Sequence, residues 1–522
     1  ITSWDSNFPK GTPVTRDKHR REQSRRRPRR GAARQVSSAK KPVWPGLSGG
    51  QYRPFSKATM ERMHEGVLKI LSTIGMSETP EKVISRIVAK GGEVNNKGRL
   101  LFPPALVDDV IAQFERDFTL YGREPGTELE LKPGKVHVGS GGAAPSVIDL
   151  KSERYRDGTL KDLYDAARIC DVLENIHFFS RSVVARDIET PLDFDINTAY
   201  ACLAGTGKHV MVQAMEGHHV PEITALCDMV AGNHSRFCDK PFLSLNVNHV
   251  VSPLRFITEA CDVIEQAALN DIPIFMNSFG QAGASTPAAL AGAVLQSIAE
   301  TLAGMIYAWS VNPKAKIVFG PRPLITDLRT GALAGGCGEH AATLAVGAQM
   351  GQFYGLPNSC ISGSTDAKIP DAQSGYEKAL AVTHAALAGS NMVTQACGMQ
   401  AGMMGVAYES YVIDNDMLGA VLRSVRGIET NEIDFSEQTI EEAVSGDGHF
   451  LGHTDTMARM ETDYLYPKIA DRRTVEEWES EGSKDIRSVA RDKAHEILST
   501  HHPIYLNKSL DVKLRARFNI KL

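Results

Sequence analysis

The sequence is dominated by an eightfold alternation, beginning after residue 134, between a short β-branched or aromatic run and a helical stretch. The first and last runs start 256 residues apart, so one unit takes about 37 residues. Strands alternating with helices favour a parallel sheet, and eight such units are typical of a (β/α)₈ barrel. The apolar runs are 136–138, 178–184, 209–213, 242–247, 272–279, 316–319, 359–362 and 392–396. The helical patterns between them are 160–174, 192–204, 220–231, 254–269, 287–310, 338–354 and 371–388.

An open, doubly wound sheet is the main alternative, and it normally shows a Gly-rich phosphate turn after its first strand. Residues 139–144 match the spacing G-x-G-x-x-A, but residues 145–150 read as another strand where that motif needs a helix. We therefore interpret 136–150 as a hairpin that opens the barrel. The segment 205–209 also lacks the first Gly and the Ser or Thr of a P-loop.

The regions outside the barrel have distinct patterns. Behind Ser56, a plausible helix N-cap, apolar residues recur at helical spacing, and further helices are predicted near 79–90 and 103–115. Charged helical stretches dominate after residue 400. The predicted fold is thus an α/β protein, a (β/α)₈ barrel with an α-rich N-terminal cap and a C-terminal helical extension. Its predicted parts are a basic, disordered arm (1–50), the cap (51–133), the barrel (134–400) and a C-terminal helical wrap (401–522).

Charge is divided unevenly along the chain. Residues 16–41 hold twelve Lys and Arg against two acids, whereas the whole protein has a net charge of −4, so the remainder is strongly acidic. Nucleic-acid binding requires clustered positive charge on the folded surface, which only the arm supplies. We expect the body to bind small molecules or proteins and no nucleic acid. The arm is expected to be solvated or to strap a neighbouring subunit in a homo-oligomer, with nuclear targeting or RNA binding as alternatives.

The eight cysteines are scattered without a C-x-x-C pair, which argues against a zinc ribbon, a redox motif or a secreted disulfide scaffold. There is no run of eighteen apolar residues and no apolar signal segment at the start of the chain. A cytoplasmic protein that does not bind membranes is expected.

Candidate site residues follow from the barrel, because active sites of this fold lie at the carboxyl ends of the strands. The polar residues just after the runs are mostly amides and hydroxyls, without paired carboxylates or a His cluster. His64-Glu65 and His449…His453 also lack the pattern of a metal motif. No hydrolytic acid–base pair and no metal is predicted. The strand-end set is Ser140, Arg181, Gln213, Asn246, Asn248, His249, Asn277, Ser278, Arg322, Ser364, Asp366, Lys368 and Gln395.

Two denser groups stand out. Residues 335–340 form a Gly-rich helix start, which either binds an anion on backbone N–H groups or merely reverses the chain. In the helix after residue 370, Gln373, Tyr376 and Glu377 lie on neighbouring turns and are predicted to share one pocket wall. The alternative to a pocket wall is a structural ion pair between Lys368 and Glu377.

At these residues the sequence resembles the trimethylamine methyltransferase family, the corrinoid-dependent amine methyltransferases. The resemblance covers about residues 45–522. It rests on the segments 364–380, 386–391, 411–414, 464–473 and 481–485.

The resemblance implies a (β/α)₈ barrel that transfers a methyl group from a methylated amine to the Co(I) corrinoid of a separate carrier protein. Members that use trimethylamine carry pyrrolysine in the barrel, whereas residues 361–364 of this chain read Ile-Ser-Gly-Ser. This departure points to members without pyrrolysine, such as glycine betaine methyltransferase. Other substrates left open are proline betaine, carnitine, γ-butyrobetaine and trimethylamine, and a catalytically silent ligand-binding barrel is the alternative from another class.

A quaternary ammonium is already an activated leaving group, so the enzyme has to hold it in line with the cobalt. Aromatic faces suit the cation, and Arg322 or the helix start 335–338 suits a betaine carboxylate. The acidic body is expected to favour a cation if its acids lie near the strand ends. The predicted substrate-binding residues are Asn246, Asn277, Phe279, Phe319, Arg322, His340, Gln373, Tyr376 and Glu377. The predicted corrinoid-facing residues are Gln213, Ser364, Asp366, Lys368 and Gln395.

Overall fold

Eight parallel strands form a closed barrel in the computed structural model, which describes residues 41–431 and 435–522. Consecutive strands pair in parallel. Parallel bridges between Gly139 and Phe178 and between Phe319 and Asn358 complete the ring, together with pairing of the eighth strand to the first. The predicted fold class and all eight runs are confirmed. The strands are Lys135–Val138, Phe178–Ser180, His209–Val212, Leu243–Asn248, Ile274–Ser278, Ile317–Pro321, Ser359–Ile361 and Met392–Thr394.

One helix after each strand forms the outer layer. The eighth barrel helix lies beyond residue 400, in the segment predicted as the wrap, and a short additional helix, His234–Asp239, precedes the fourth strand. The eight are Leu160–Val172, Pro191–Gly205, Val220–Ala231, Thr258–Leu269, Leu290–Val311, Gly338–Tyr354, Ala372–Leu387 and Tyr408–Arg426. The Leu290–Val311 helix is long and apolar enough to cross a membrane, but 78% of its most apolar stretch is buried within the protein.

The barrel interior is apolar at the amino ends of the strands. Phe178, Met211, Phe275 and Val318 from four strands pack against an antiparallel hairpin formed by Phe118–Leu120 and Leu129–Leu131. The hairpin therefore closes the amino end of the barrel interior, so that a ligand in the described part of the barrel would enter the interior at the carboxyl ends of the strands.

The predicted hairpin at 136–150 is wrong. Ser146–Ile148 pairs antiparallel with Tyr155–Asp157 and parallel with Gly405–Ala407. It thus belongs to a separate four-stranded sheet over the mouth of the barrel, which Met399–Gln400 completes. The alternation in the sequence showed the strand correctly but not its parallel partner, because pairing between residues 259 positions apart leaves no local signal.

The N-terminal cap contains the expected helices, Lys57–Lys69, Glu81–Val88 and Pro104–Gln113, and the side chain of Ser56 caps the first of them. Residues 1–40 of the predicted arm lie outside the described residues. The rest of the arm is described, and it is ordered there, because Leu47–Ser48 pairs antiparallel with the first barrel strand. The short strand pairs elsewhere are Glu93–Val94 with Leu100–Leu101, Val250–Val251 with Arg255–Phe256, and Gln281–Ala282 with Leu324–Ile325.

The C-terminal segment packs back over the barrel helices. Helix Ile486–Thr500 lies against the first and eighth barrel helices and buries Ala490, Ala494 and Ile497. The remaining C-terminal helices are Glu437–Ser445, Thr454–Arg459, Val475–Ser480 and Lys508–Arg517.

Candidate functional site

A cavity of about 240 Å³ lies at the carboxyl ends of the barrel strands. It opens beside the exposed side chain of Asn248. Seven of the candidate site residues line it: Arg181, Gln213, Asn246, Asn248, Phe279, Arg322 and Gln395. Its other lining residues are Gly142, Ala143, Ser180, Met211, Val212 and Met403.

Arg322 is a buried cation in this cavity. Its guanidinium stacks 5.2 Å from the centre of the Phe279 ring. It donates only a long, 3.5 Å hydrogen bond to Asn246 Oδ1, and its Nε atom is buried without a partner. Burial lowers the pKa of Arg322 to about 9, because a charged group loses solvation in a low-dielectric site.

Arg181 is a second cation in the same lining. It donates a short hydrogen bond to Gln213 Oε1 and lies 5.6 Å from the Phe194 ring, whereas its Nε atom is buried without a partner. Burial also lowers the pKa of Arg181. Within residues 41–431 and 435–522, no carboxylate lines the cavity and none acts on Arg322, whereas the buried carboxylate of Asp195, outside the lining, attracts the Arg181 guanidinium.

The cavity therefore has a positive lining. The expectation that the acidic body favours a cation at the strand ends is wrong for this cavity. A buried unpaired charge is costly, so the Arg322 guanidinium, with Arg181 beside it in the lining, suits an anionic group.

Ser180 and Asn246, which line the cavity, belong to a chain of neutral polar groups that buried Asn277 extends behind the lining. Asn277 Nδ2 donates to Asn246 Oδ1 at 3.0 Å, and Asn246 Nδ2 donates to Ser180 Oγ at 3.5 Å. Asn277 Oδ1 is buried without a partner. Gly320, on the next strand, leaves room for Asn277, since a Cβ atom at position 320 would lie 2.4 Å from Asn277 Oδ1.

Gln395 lies in the left-handed backbone region, with φ at +61°, directly after the eighth strand. A non-Gly residue is uncommon there. Buried Ser364 donates to its side-chain Oε1 at 2.9 Å. Ser364 thus positions Gln395 from behind the cavity.

The prediction of an anion-binding site at residues 335–338 is wrong. The carboxylate of Asp366 accepts hydrogen bonds from the backbone N–H groups of Gly335, at 2.9 Å, and Gly336, at 3.2 Å. The protein's own acid therefore occupies these donors. Asp366 consequently does not line the cavity, contrary to its predicted corrinoid-facing place.

Glu377 and its neighbours form a network that holds the loop after the seventh strand. Glu377 accepts from Thr365 Oγ1 at 2.5 Å, from the Asp366 N–H at 2.8 Å and from Gln373 Nε2 at 2.8 Å. Lys368 Nζ donates to the Asp366 carbonyl at 2.5 Å. The structure thus places Gln373, Glu377 and Lys368 outside the cavity and also contradicts a Lys368–Glu377 pair.

Three further predicted residues lie away from the cavity. Phe319 is buried between barrel and helices, with its ring edge-on to Tyr354 at 5.9 Å. Tyr376 is 63% exposed on the outer helix face. His340 Nδ1 donates to the Gly335 carbonyl at 2.7 Å, and burial lowers the pKa of this imidazole. Strand and helix periodicity place such residues near the ends of elements but do not show which way their side chains point.

Two buried charged side chains, Glu300 and Lys378, were not predicted as functional residues from the sequence. Glu300, fully buried, accepts hydrogen bonds from Ser252 Oγ at 2.7 Å and the Leu254 N–H at 2.8 Å, and so fixes the loop after the fourth strand. Lys378 Nζ donates to Asp414 Oδ2 at 2.8 Å. Arg181, by contrast, was among the strand-end residues, so its position after a barrel strand already indicated a place in the site.

Comparison with known proteins identifies the family. Residues 20–521 match the family described as trimethylamine methyltransferase (MTTB). The chain belongs to the trimethylamine methyltransferase family. This confirms the resemblance and makes the protein a methyltransferase.

Relatives within the trimethylamine methyltransferase family include the trimethylamine methyltransferase MttB of Methanosarcina barkeri, 31% identical over 87% of this chain and 92% of that protein. The glycine betaine methyltransferase of Desulfitobacterium hafniense is 26% identical over 89% of this chain and 96% of that protein. The monomethylamine methyltransferase structure from Methanosarcina barkeri covers 86% of this chain and 88% of that one, with a TM-score of 0.52 and 14% identity. That similarity supports the barrel fold.

Proposed function

We propose that this protein demethylates a quaternary amine that carries a carboxylate, most simply glycine betaine, and passes the methyl group to the Co(I) corrinoid of a separate carrier protein. The observation that carries the substrate class is the pair of guanidiniums, Arg181 and Arg322, in a cavity without an acidic side chain. A bare methylammonium cation would meet repulsion there, whereas a zwitterion presents its carboxylate to the two arginines.

The chain's residues have positioning roles in this reaction. Arg322 and Arg181 bind the carboxylate, the amide of Asn246 lines the cavity beside them, and Asn277 positions Asn246 by a hydrogen bond from outside the lining. The ammonium end is thereby directed away from the cations, toward the opening beside Asn248. Holding the reacting methyl group in one orientation supplies the entropic part of the acceleration.

The exposed side of the cavity, at Asn248, is where a corrinoid carried by another protein would approach, and the lining also offers the amides of partly exposed Gln213 and buried Gln395. A Co(I) corrinoid supplies the nucleophile for the methyl group. When the C–N bond breaks, its electron pair stays on nitrogen and leaves a neutral tertiary amine. No residue of this chain therefore has to donate a proton to the leaving group.

The substrate class is tested with glycine betaine and choline, which share a trimethylammonium group and differ in the carboxylate. Titration calorimetry should show that Arg322→Met and Arg181→Met each weaken glycine betaine binding about 10- to 100-fold, the size of a lost charge-assisted hydrogen bond. Binding of choline should be weak and unchanged by either substitution. Arg517→Met, which removes an exposed arginine paired with Glu222, is the matched control and should leave both affinities unchanged.

Activity is measured by the change in corrinoid absorbance when reduced carrier protein is mixed with enzyme and amine. Glycine betaine should give the change, and trimethylamine should not. Proline betaine, carnitine and γ-butyrobetaine also carry a carboxylate and belong in the same panel. Equal losses of glycine betaine and choline binding in Arg322→Met would overturn the carboxylate assignment, and binding without any absorbance change would favour a catalytically silent barrel.

A further inference from the structure

A cluster of potential metal ligands lies at the amino end of the barrel, opposite the cavity. His234 and Cys238 belong to the short helix before the fourth strand, and Asp271 precedes the fifth strand. One ligand atom from each of the three residues lies within 4.8 Å of the others. The three side chains are partly or largely exposed, so an ion can reach them from solvent.

The histidine is oriented as a metal ligand would be. His234 Nδ1 lies 3.1 Å from Asp228 Oδ1, to which it donates a hydrogen bond. This leaves Nε2 facing Cys238 Sγ at 3.4 Å. In metal sites a ligating imidazole usually donates its other N–H to a carboxylate. A tetrahedral zinc site with ordinary bond lengths puts nitrogen and sulfur about 3.5 Å apart.

We propose that His234, Cys238 and Asp271 bind a divalent ion of the zinc class, with Asp228 positioning the imidazole. A nitrogen, a sulfur and an oxygen donor together suit zinc or cobalt, whereas magnesium and calcium prefer oxygen alone. Three protein ligands leave a fourth position for water. Lys316 lies nearby, but its ammonium donates to the Cys238 carbonyl, at 3.4 Å, and the Cys238 thiol stays available to an ion.

Such an ion links two connections that enter the barrel. It joins the helix before the fourth strand to the turn before the fifth, on the face that supports stability in this fold. The site is therefore independent of the proposed methyl transfer. A metal that binds only the folded chain raises its stability by mass action.

A second cluster provides a built-in comparison. Glu216, His218 and His219 follow the third strand, and their ligand atoms also lie within 4.8 Å of one another. This cluster contains no sulfur. A cobalt ion bound there shows no thiolate-to-metal charge-transfer band, so absorbance separates the two locations.

The experiment uses the full chain, stripped of metal and titrated with Co²⁺. We expect a thiolate-to-cobalt band that saturates at one ion per chain, and a rise in Tm with added Zn²⁺. Cys238→Ser and His234→Asn should abolish the band, and Asp228→Asn should weaken Co²⁺ binding about 10- to 100-fold. The matched control is Cys337→Ser, at another partly exposed cysteine, which should leave the band unchanged.

The proposal is overturned if no charge-transfer band appears, or if the band survives Cys238→Ser. Loss of Co²⁺ binding in His218→Asn, with retention in Cys238→Ser, would assign the ion to the other cluster. His234 is exposed and Cys238 partly so, so both variants are expected to fold, which circular dichroism checks. Methyl transfer is not used as a readout, so failure of the proposed function leaves this result unaffected.

Discussion

Three histidines are buried at the barrel wall as neutral side chains. His209 Nδ1 donates to the Tyr121 carbonyl at 2.9 Å, and its Nε2 accepts from Ser244 Oγ at 2.9 Å. Burial lowers the pKa values of His137, His209 and His249 to about 4. Among the described residues no carboxylate oxygen bonds to these three rings, and for His137 the loss of solvation outweighs the attraction of Glu130, so the folded protein holds each in the neutral form.

These histidines predict loss of stability in acid. The unfolded chain takes up a proton at each near pH 6.5, whereas the folded chain does so only near pH 4, so their contribution is complete above about pH 7 and is lost as pH falls toward 4. In His209→Gln, the decrease in the free energy of unfolding between pH 7 and pH 5 should be about 2 kcal/mol smaller than in the parent. Urea unfolding at pH 7 and at pH 5 measures this decrease in the free energy of unfolding. The exposed-residue control His495→Gln should match the parent, and an unchanged decrease in His209→Gln would contradict the assignment.

At the scale of elements, a buried ion pair joins the last two barrel helices. Lys378 is fully buried and bonds to Asp414 Oδ2 at 2.8 Å and to Ser410 Oγ at 2.7 Å. The same carboxylate oxygen accepts from the Gly398 N–H at 2.8 Å. The pair thus connects both helices to the loop that follows the eighth strand, beside the candidate site.

Removing one partner of this pair should be strongly destabilising. Lys378→Met leaves the Asp414 carboxylate buried without a cation, which should cost about 3–5 kcal/mol of unfolding free energy. Adding Asp414→Asn should recover much of that loss, because the amide removes the charge and still accepts from Gly398. Lys57→Met, in an exposed pair with Glu61, should cost less than about 1 kcal/mol. Urea denaturation measures the free energy of unfolding of the parent, the two single variants and the double variant. A double variant less stable than Lys378→Met would contradict the pairing.

On the scale of the whole molecule, the C-terminal segment is tied to the first barrel helix through one arginine. Arg168 is buried and donates to the carbonyl of Leu498 at 2.9 Å and to that of His501, and it pairs with Asp165 at 2.8 Å. His501 Nε2 lies 2.8 Å from Asp171 Oδ2. The segment is therefore bonded into the barrel instead of merely lying on it.

Arg168→Met should loosen this segment. It leaves two partly buried carbonyl groups without this donor and should cost about 2–4 kcal/mol of unfolding free energy. Limited proteolysis should then cut first near residues 498–505. Lys161→Met is the matched control, since Lys161 pairs with the same Asp165 but is exposed, and it should change neither stability nor cleavage. Cleavage elsewhere in Arg168→Met would show that this contact does not hold the segment.

The sequence by itself determined the barrel. Each strand and helix has its own periodicity, and Ser56 begins its helix as its side chain predicts, because these signals lie within a few residues of one another. The rule that polar residues after barrel strands line the site also selected Arg322, Asn246 and Arg181, and Phe279 was predicted separately as an aromatic residue at a strand end. The same rule selected Asp366 and Lys368, which face elsewhere.

Only the tertiary structure decided which of these side chains meet. Asp366 bonds to the backbone of Gly335, and Phe319 packs outward against Tyr354. His234, Cys238 and Asp271 come together although 32 residues of chain lie between Cys238 and Asp271. Local periodicity fixes where an element begins and which face is apolar, whereas charge pairing and cavity lining depend on the register and packing of distant segments.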